Sequence, residues 1–506
     1  MTTAKISTPR FSLAGALVCL GLASVAGIAF ASITSSDVRW AMALTAGAAF
    51  MVVLLVVPNP RRFLWILFIF SFQFQDPSVR LLYGHAGSEG LMITLPAMLG
   101  MLFLAVFIGS GGLRQAGASF RWLGPVGAPF IALLAISIIS LAHSDEHFVG
   151  IGALLVQLEV YLVYLLALNC VRSEEDLKLT INLLYAALAI QSVVYFFEIA
   201  FNISYISLID GLVKAGDSDA VRPGGTLGTN PFSFTDFVLP IMFILFASIV
   251  PVRQAGTQSR WYGIVVLALG MVAIGLTLTR TAYANLFLGF LCVLALGYKR
   301  RSVSTRKALA MLGIALVVAS LIAPLIIKRV ERETMKSSYD ERAALMQMAI
   351  NVIRANPVFG VGPGAYVLSY KRYLTTELED KWQWQVHNYY LLRTAENGIF
   401  AGIAVFVLLL VALRTCWALS IRSHPMLRAL ALAGVATVVT TAHAMYWDQW
   451  THIPAQMLFM LILGLMGAAH SMKLEEDRTD ATAPARPSPP PAATTLLPSG
   501  ISRHPD

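Results

Sequence analysis

The chain has 506 residues, 57% hydrophobic and only 13% charged, with a mean hydropathy of +0.70. A soluble domain carries about 25% charged residues, so a soluble enzyme is excluded. The net charge of +9 does not point to nucleic acid, because Lys and Arg in such a chain mostly set its orientation in a bilayer. The cysteines Cys19, Cys170, Cys292 and Cys416 lie in or at the ends of apolar runs, without metal-ligand spacing or evident disulfide partners.

Crossing a hydrocarbon core of about 30 Å takes roughly 20 apolar residues. The runs here have that length and lack the alternation of a spanning barrel, so the fold class is all-α and polytopic, with about 12–14 transmembrane helices. The run at 11–33 is longer than a cleaved leader and is followed by similar runs, so it is taken as the first span. Further spans are expected at 38–57, 63–75, 91–109, 122–142, 148–170 and 179–201. They continue at 232–251, 261–279, 281–298, 307–327, 399–420, 427–446 and 453–471. The run at 63–75 is short enough to be re-entrant.

Loop charges fix the parity. Arg61, Arg62, Arg114, Arg121, Arg172, Lys178, Arg253 and Arg260 fall on one side. So do Lys299, Arg300, Arg301, Arg306, Lys307, Arg414, Arg422 and Arg428. The short loops on the other side hold only Arg39, Arg80, Lys214, Arg222 and Arg280. The basic side is the cytoplasmic one, and both termini share it. The expected units are N-terminal spans 1–201, core spans 202–327, an extracytoplasmic loop 328–398, C-terminal spans 399–471 and a disordered Pro/Ala/Ser-rich cytoplasmic tail 472–506.

The long loop carries ten basic and eight acidic residues. Within it, "SSYDERAALMQMAINVIRAN" spaces Ala344, Met348, Ile350 and Val352 as an amphipathic helix. "NPVFGVGPG" then supplies a stop and a turn. Its glycines are not a phosphate loop, since the Gly-Lys-Ser/Thr ending is missing.

Several polar residues stand out against this background. Arg280, in "GLTLTRTAYANLF", is either an interfacial anchor or an anion ligand facing a cavity. Arg222, in "VRPGGTLGTNPFSF", is either part of a polar turn or a second cation for the same anion. Two guanidiniums suit a pyrophosphate, because each can bind phosphate oxygens in a bidentate fork. "VHNYYLLRTAENGIF" groups His387, Arg393 and Glu396 at the edge of a span. His387 is either a hydrogen-bonded structural residue or a general base. On a continuous helix it would face away from Glu396, while Arg393 and Asn397 would share a face. Asp217 and Asp219 have a D-x-D spacing, and His143 and His147 flank "HSDEH", but neither is a convincing metal set. Glu159 and Glu198 are expected near span ends, in hydrated, paired or functional roles.

The segments "RPGGTLGTNPFSFTDFVLP", "LTLTRTAYANLFLGF", "NPVFGVGPGAY" and "HNYYLLRTAENGIFAGI", in that order, resemble the O-antigen ligase and polymerase superfamily over roughly residues 220–420. The last matches that family's block at His387, Asn388, Leu391, Glu396 and Gly398. The resemblance implies a C-type multi-helix glycosyltransferase of the bacterial inner membrane. It would act on undecaprenyl-pyrophosphate-linked glycans at the outer face, in cell-surface polysaccharide or lipopolysaccharide biosynthesis. The acceptor would be a glycan, a lipid core or a protein. Transfer would invert the anomeric centre with no metal, ATP or other cofactor. The surroundings would be membrane lipids and other polysaccharide-assembly membrane proteins, not nucleic acid. Arg222 and Arg280 would hold the pyrophosphate and His387 would orient or deprotonate the acceptor hydroxyl, with Arg342, Arg393 and Glu396 as further substrate-binding residues. Many members have a Trp near the position of Met346, so the acceptor side departs from the pattern.

Two other classes fit a polytopic chain: a polysaccharide flippase and a non-catalytic assembly partner. A flippase should line a central cavity with its cations and show repeated halves, whereas here the singled-out arginines and His387 gather at one face. The charge parity is testable. Reporters fused near Tyr373 should be active only outside the cytoplasmic membrane, and those near Arg301 only inside; a cytoplasmic signal at Tyr373 would overturn the orientation.

Overall fold

The computed structural model describes residues 53–54, 56–74, 78–82, 91–109, 120–201, 223–228, 230–250, 260–310, 313, 335–374, 385–422 and 424–482. Among them, eight helices are long and apolar enough to cross a membrane, and the chain is an all-α multi-pass membrane protein. The expected spans at 11–33, and most of those at 38–57 and 307–327, lie outside the described residues, as do Arg222, Asp217 and Asp219.

The first described helix, α1 (Pro60–Ser71), starts where the Asn59 side chain accepts the Arg62 amide at 3.0 Å and proline takes the first turn. It is too short to span. A hairpin of β1 (Ser78–Leu82) and β2 (Leu91–Thr94), paired antiparallel, leads into the equally short α2 (Leu95–Gly109). The expected span at 91–109 therefore spends its first residues as a strand.

Glu159 explains where α2 begins. It was expected near a span end, yet it sits at the centre of α4 (His147–Cys170), which follows α3 (Gly124–Ala142). Its carboxylate is buried and accepts the Thr94 hydroxyl at 2.8 Å and the Thr94 amide at 3.3 Å. A helix leaves its first amides without intrahelical partners, and non-helical backbone deep in a bundle must be satisfied by protein. Glu159 meets that need from the middle of its own helix.

Next come α5 (Glu174–Phe201), α6 (Pro231–Ile249), α7 (Arg260–Leu276) and α8 (Arg280–Lys299). The start of α5 is a reciprocal cap. Ser173 Oγ accepts the Asp176 amide and Asp176 accepts the Ser173 amide, each at 3.1 Å. Glu198, near the C-terminal end of α5 as expected, is buried and accepts the Gly225 amide at 2.7 Å. It thereby holds the turn Gly225–Leu227 that precedes α6.

The segment 328–398 contributes α9 (Met335–Ala355) and α10 (Tyr389–Asn397). The expected amphipathic helix is present. It buries Leu345, Met348, Ala349 and Val352 against Tyr366, Val367, Val386, Leu392 and Ala395, a small core of its own. Ala344 and Ile350 are only half-buried. The spans α11 (Ile399–Leu419), α12 (Pro425–Trp447) and α13 (Ile453–Thr482) follow. Helix α13 continues to Thr482, into the segment expected to be disordered.

Helix α13 is the axis of the bundle: 94% of its apolar window is buried, against 39% for α11, whose Ile403, Phe406 and Leu410 face outward. Gly464 lets α13 lie directly on α4, since a Cβ there would come within 2.5 Å of the Ala167 Cβ. Small residues allow such close backbone approach in membrane bundles.

Short turns make the bundle's two ends chemically distinct. At one end Arg300 bonds Ser420, Arg428 bonds Ser302 and Lys307 bonds the Val250 carbonyl. At the other end the loop core is tied down by the α3–α4 turn. Ser140 Oγ donates to the Phe359 and Glu396 carbonyls at 2.6 and 3.0 Å, and Ser144 Oγ donates to the Val361 carbonyl at 3.0 Å. The "GVGPG" turn wraps the end of α10, with Val361 N donating to Ala395 O and Gly362 N to Glu396 O. Gly398 joins α10 to α11 at φ +81°, with the Val358 carbonyl where a Cβ would stand.

Candidate active site

His387 does not lie on a helix. Asn388 caps α10, its side chain accepting the Leu391 amide at 3.0 Å, so His387 is the residue before the cap. The face relation expected for a continuous helix through His387 does not apply. Instead the segment docks on the turn between α12 and α13. The Tyr389 amide donates to the Asp448 carbonyl at 3.1 Å, and the Asn388 amide group donates to the Tyr446 carbonyl at 3.1 Å.

This docking sets His387 Nδ1 3.4 Å from Asp448 Oδ1. The two side chains differ sharply in exposure, 38% for His387 and 5% for Asp448. The imidazole thus has one nitrogen toward a buried carboxylate and remains partly open to solvent. On its far side Asp448 meets His452, whose Nε2 is 3.7 Å from Oδ2. Burial works against charge on Asp448, but the bonds and charges of His387 and His452 prevail and hold its carboxyl below the usual range. Burial also pulls the His452 imidazole down, opposed by Asp448. Asp236 on α6 adds a second carboxyl facing Asp448.

Arg280 opens α8 and is exposed. Deeper in, Asn285 Oδ1 meets His443 Nδ1 at 2.6 Å, which fixes α8 against α12. Arg280 precedes Asn285 by as many residues as Asp448 follows His443, about 7 Å of helix rise in each case. Arg280 and Asp448 therefore stand at about the same level of the bundle. Both adjoin backbone held in the left-handed region by bulky residues, Leu278 at φ 51° and Trp450 at φ 44°. Each such residue costs about 1–2 kcal/mol, and outliers of this kind cluster at functional sites.

Arg393 and Glu396 come together, but with each other rather than with Asn397. Arg393 pairs with Glu396 at 3.1 Å and lies over the Tyr389 ring, 4.9 Å from its centre. Glu396 is 2% exposed. Burial pushes its carboxyl up, offset in part by Arg393 and the Gly364 amide. The pair therefore ties α10 to the glycine turn. Arg342 is half-buried on α9. His143 stacks on Phe359, ring centres 3.9 Å apart.

Residues 264–407 match the family model described as O-Antigen ligase. This segment is similar to the O-antigen ligase family. No curated protein matches the sequence. The O-antigen ligase match includes Arg280, Arg342, His387, Arg393 and Glu396, and supports the ligase and polymerase superfamily that the motifs resemble. In general terms the match supports a membrane polysaccharide ligase or polymerase with glycosyltransferase-like activity on a lipid-linked glycan and an acceptor. Asp448 and His452 lie beyond the matched O-antigen ligase segment, and the motif reading missed both. Their signal is the stretch "YWDQWTH", an acid and a histidine four residues apart between two apolar runs.

Removing one partner of a buried ion pair leaves the other charge uncompensated, at about 3–5 kcal/mol. Arg393→Ala should accordingly lower the unfolding temperature of the purified protein strongly. The double variant Arg393→Met/Glu396→Met should recover much of the loss, and a single variant as stable as wild type would contradict the pairing.

Proposed function

We propose that the protein transfers a glycan from an undecaprenyl-pyrophosphate carrier to an acceptor hydroxyl at the outer face of the inner membrane, with His387 as the base. The observation that carries this reading is the exposed His387 imidazole backed by the buried Asp448 carboxylate, at the bundle end where Arg280 also lies. A carboxylate behind one ring nitrogen orients the ring and stabilises the imidazolium that forms when the other nitrogen takes a proton, the arrangement that makes histidine an effective base in hydrolase triads.

In the proposed reaction the acceptor oxygen forms a bond to the anomeric carbon while the bond from that carbon to the pyrophosphate oxygen breaks. The acceptor proton goes to His387. Attack opposite the leaving group inverts the anomeric centre. Arg280 and Arg222 receive the charge that grows on the pyrophosphate. Their guanidiniums match phosphate oxygens in a bidentate way and act on charge that develops in the transition state. Because guanidiniums stabilise this leaving group, the transfer is proposed to need no metal. Arg342 on the loop helix is proposed to meet the glycan, while Arg393 and Glu396 hold α10 in place for it. The basic end, with Arg300, Arg428 and Lys307, is proposed to face the cytoplasm.

The test is turnover of lipid-linked glycan by folded protein in membranes. His387→Ala should lower turnover by about 10²–10⁴-fold while donor binding is nearly kept. Asp448→Asn should lower it by about 10²-fold, since the base remains but loses its orienting charge. Arg280→Ala should weaken donor binding, and Arg280→Lys should restore only part of it, keeping charge but losing the fork. Near-normal turnover by His387→Ala would remove histidine from the mechanism.

A further inference from the structure

Asp448 is held from two sides, and only one of them is explained by His387. The other side is His452, which sits just before α13 with 10% of its side chain exposed. Its ring makes three polar approaches. Nε2 lies 3.7 Å from Asp448 Oδ2 and 3.4 Å from the Asn230 amide nitrogen, and Nδ1 lies 2.8 Å from Ser233 Oγ. Asn230 is itself fixed, its Oδ1 accepting the Phe232 amide at 3.0 Å. Nδ1 and the Ser233 hydroxyl share a hydrogen bond, while Nε2 stands within ion-pair reach of Asp448 Oδ2 without a hydrogen bond to it.

The two partners of His452 come from a different part of the chain. Asn230 and Ser233 are the cap and first turn of α6, directly after the glycine turn Gly225–Leu227 that follows Arg222 in sequence. That turn is buried and anchored to α5 through Glu198 and to the end of α1 through Thr226. Asn230, Ser233, His452, Asp448 and His387 therefore lie along one line of polar groups, in which the step from His452 to Asp448, at 3.7 Å, is electrostatic and not a hydrogen bond. It runs from the segment proposed to hold the donor to the residue proposed to act on the acceptor.

We propose that His452 is a positioning residue: it fixes Asp448 from behind and ties the base His387 to the α6 cap, so that the donor segment and the acceptor base keep one geometry. The turn around it is built to stay still. Trp450 packs edge-on against Tyr389 and Phe459, each at 5.5 Å, and its carbonyl accepts from Gln456 at 2.9 Å. Misplacing a reacting group by about 1 Å can cost about 10²-fold in rate, so a residue that only aims another can matter as much as one that reacts.

The proposal rests on the reading of His387 as the acceptor base, and the test separates the two. In full-length protein in nanodiscs, His452→Ala should lower kcat by about 10- to 100-fold with the donor KM little changed. His452→Gln should restore most of it, because an amide can bond both Ser233 and Asp448. The double variant His387→Ala/His452→Ala should be no slower than His387→Ala, since His452 acts only through the base. Additive losses in the double variant, or normal turnover by His452→Ala, would overturn the proposal. Normal turnover by His387→Ala would instead remove the base reading. The structural link is then decided without substrate, by hydrogen exchange at the Tyr389 amide. Faster exchange in His452→Ala supports the link, and unchanged exchange refutes it.

Discussion

A carboxylate taken out of water must find compensating partners, and much of one end of this bundle follows from how Asp448 finds them. Desolvating such an ion costs several kcal/mol even after relaxation. Two histidines offset that cost, His387 through a contact to Oδ1 at 3.4 Å and His452 as an electrostatic neighbour 3.7 Å from Oδ2. They come from segments far apart in sequence, so the buried charge acts as a clamp. It draws the loop that carries His387 onto the α12–α13 turn, and it draws that turn onto the cap of α6.

The clamp would be of little use on a compliant frame. The bundle supplies stiffness through α13, which lies against α4 at glycine positions too tight for a side chain. The loop core supplies it through the glycine turn, where Ser140 and Ser144 hold backbone carbonyls and Arg393 with Glu396 pins α10. A site proposed to orient a pyrophosphate and a hydroxyl at the edge of a bilayer needs such a frame. Most of the rate gain available to it comes from orientation and from charges already in place.

Run length carried much of the architecture, because a spanning helix must satisfy its own backbone and so announces itself by composition. The breaks in the pattern were not legible. Glu159 was expected at a span end because its own neighbours say nothing of Thr94, which meets it across 65 residues. The shortness of α1 was visible, but not the hairpin that follows. In the site, the motifs drew attention to His387 and the arginines, and the amphipathic helix of the loop was legible from its spacing. The relation among residues 387–397 was not, since the helix starts only at Tyr389 and Arg393 turns to Glu396. Asp448 stayed hidden because sequence distance does not encode contact; it lies 61 residues from the histidine it orients.

The central claim is that the lipid-linked donor is bound at the end of the bundle that holds Arg280 and His387. Its most direct test is photo-crosslinking of the membrane-embedded protein with a diazirine-bearing polyprenyl-pyrophosphate glycan, read by peptide mapping. The account predicts adducts at the start of α8, at the cap of α6 and in the segment 385–388, lost when unlabelled donor competes. Competable adducts confined to the opposite end, around Arg300, Ser302 and Arg428, would contradict it.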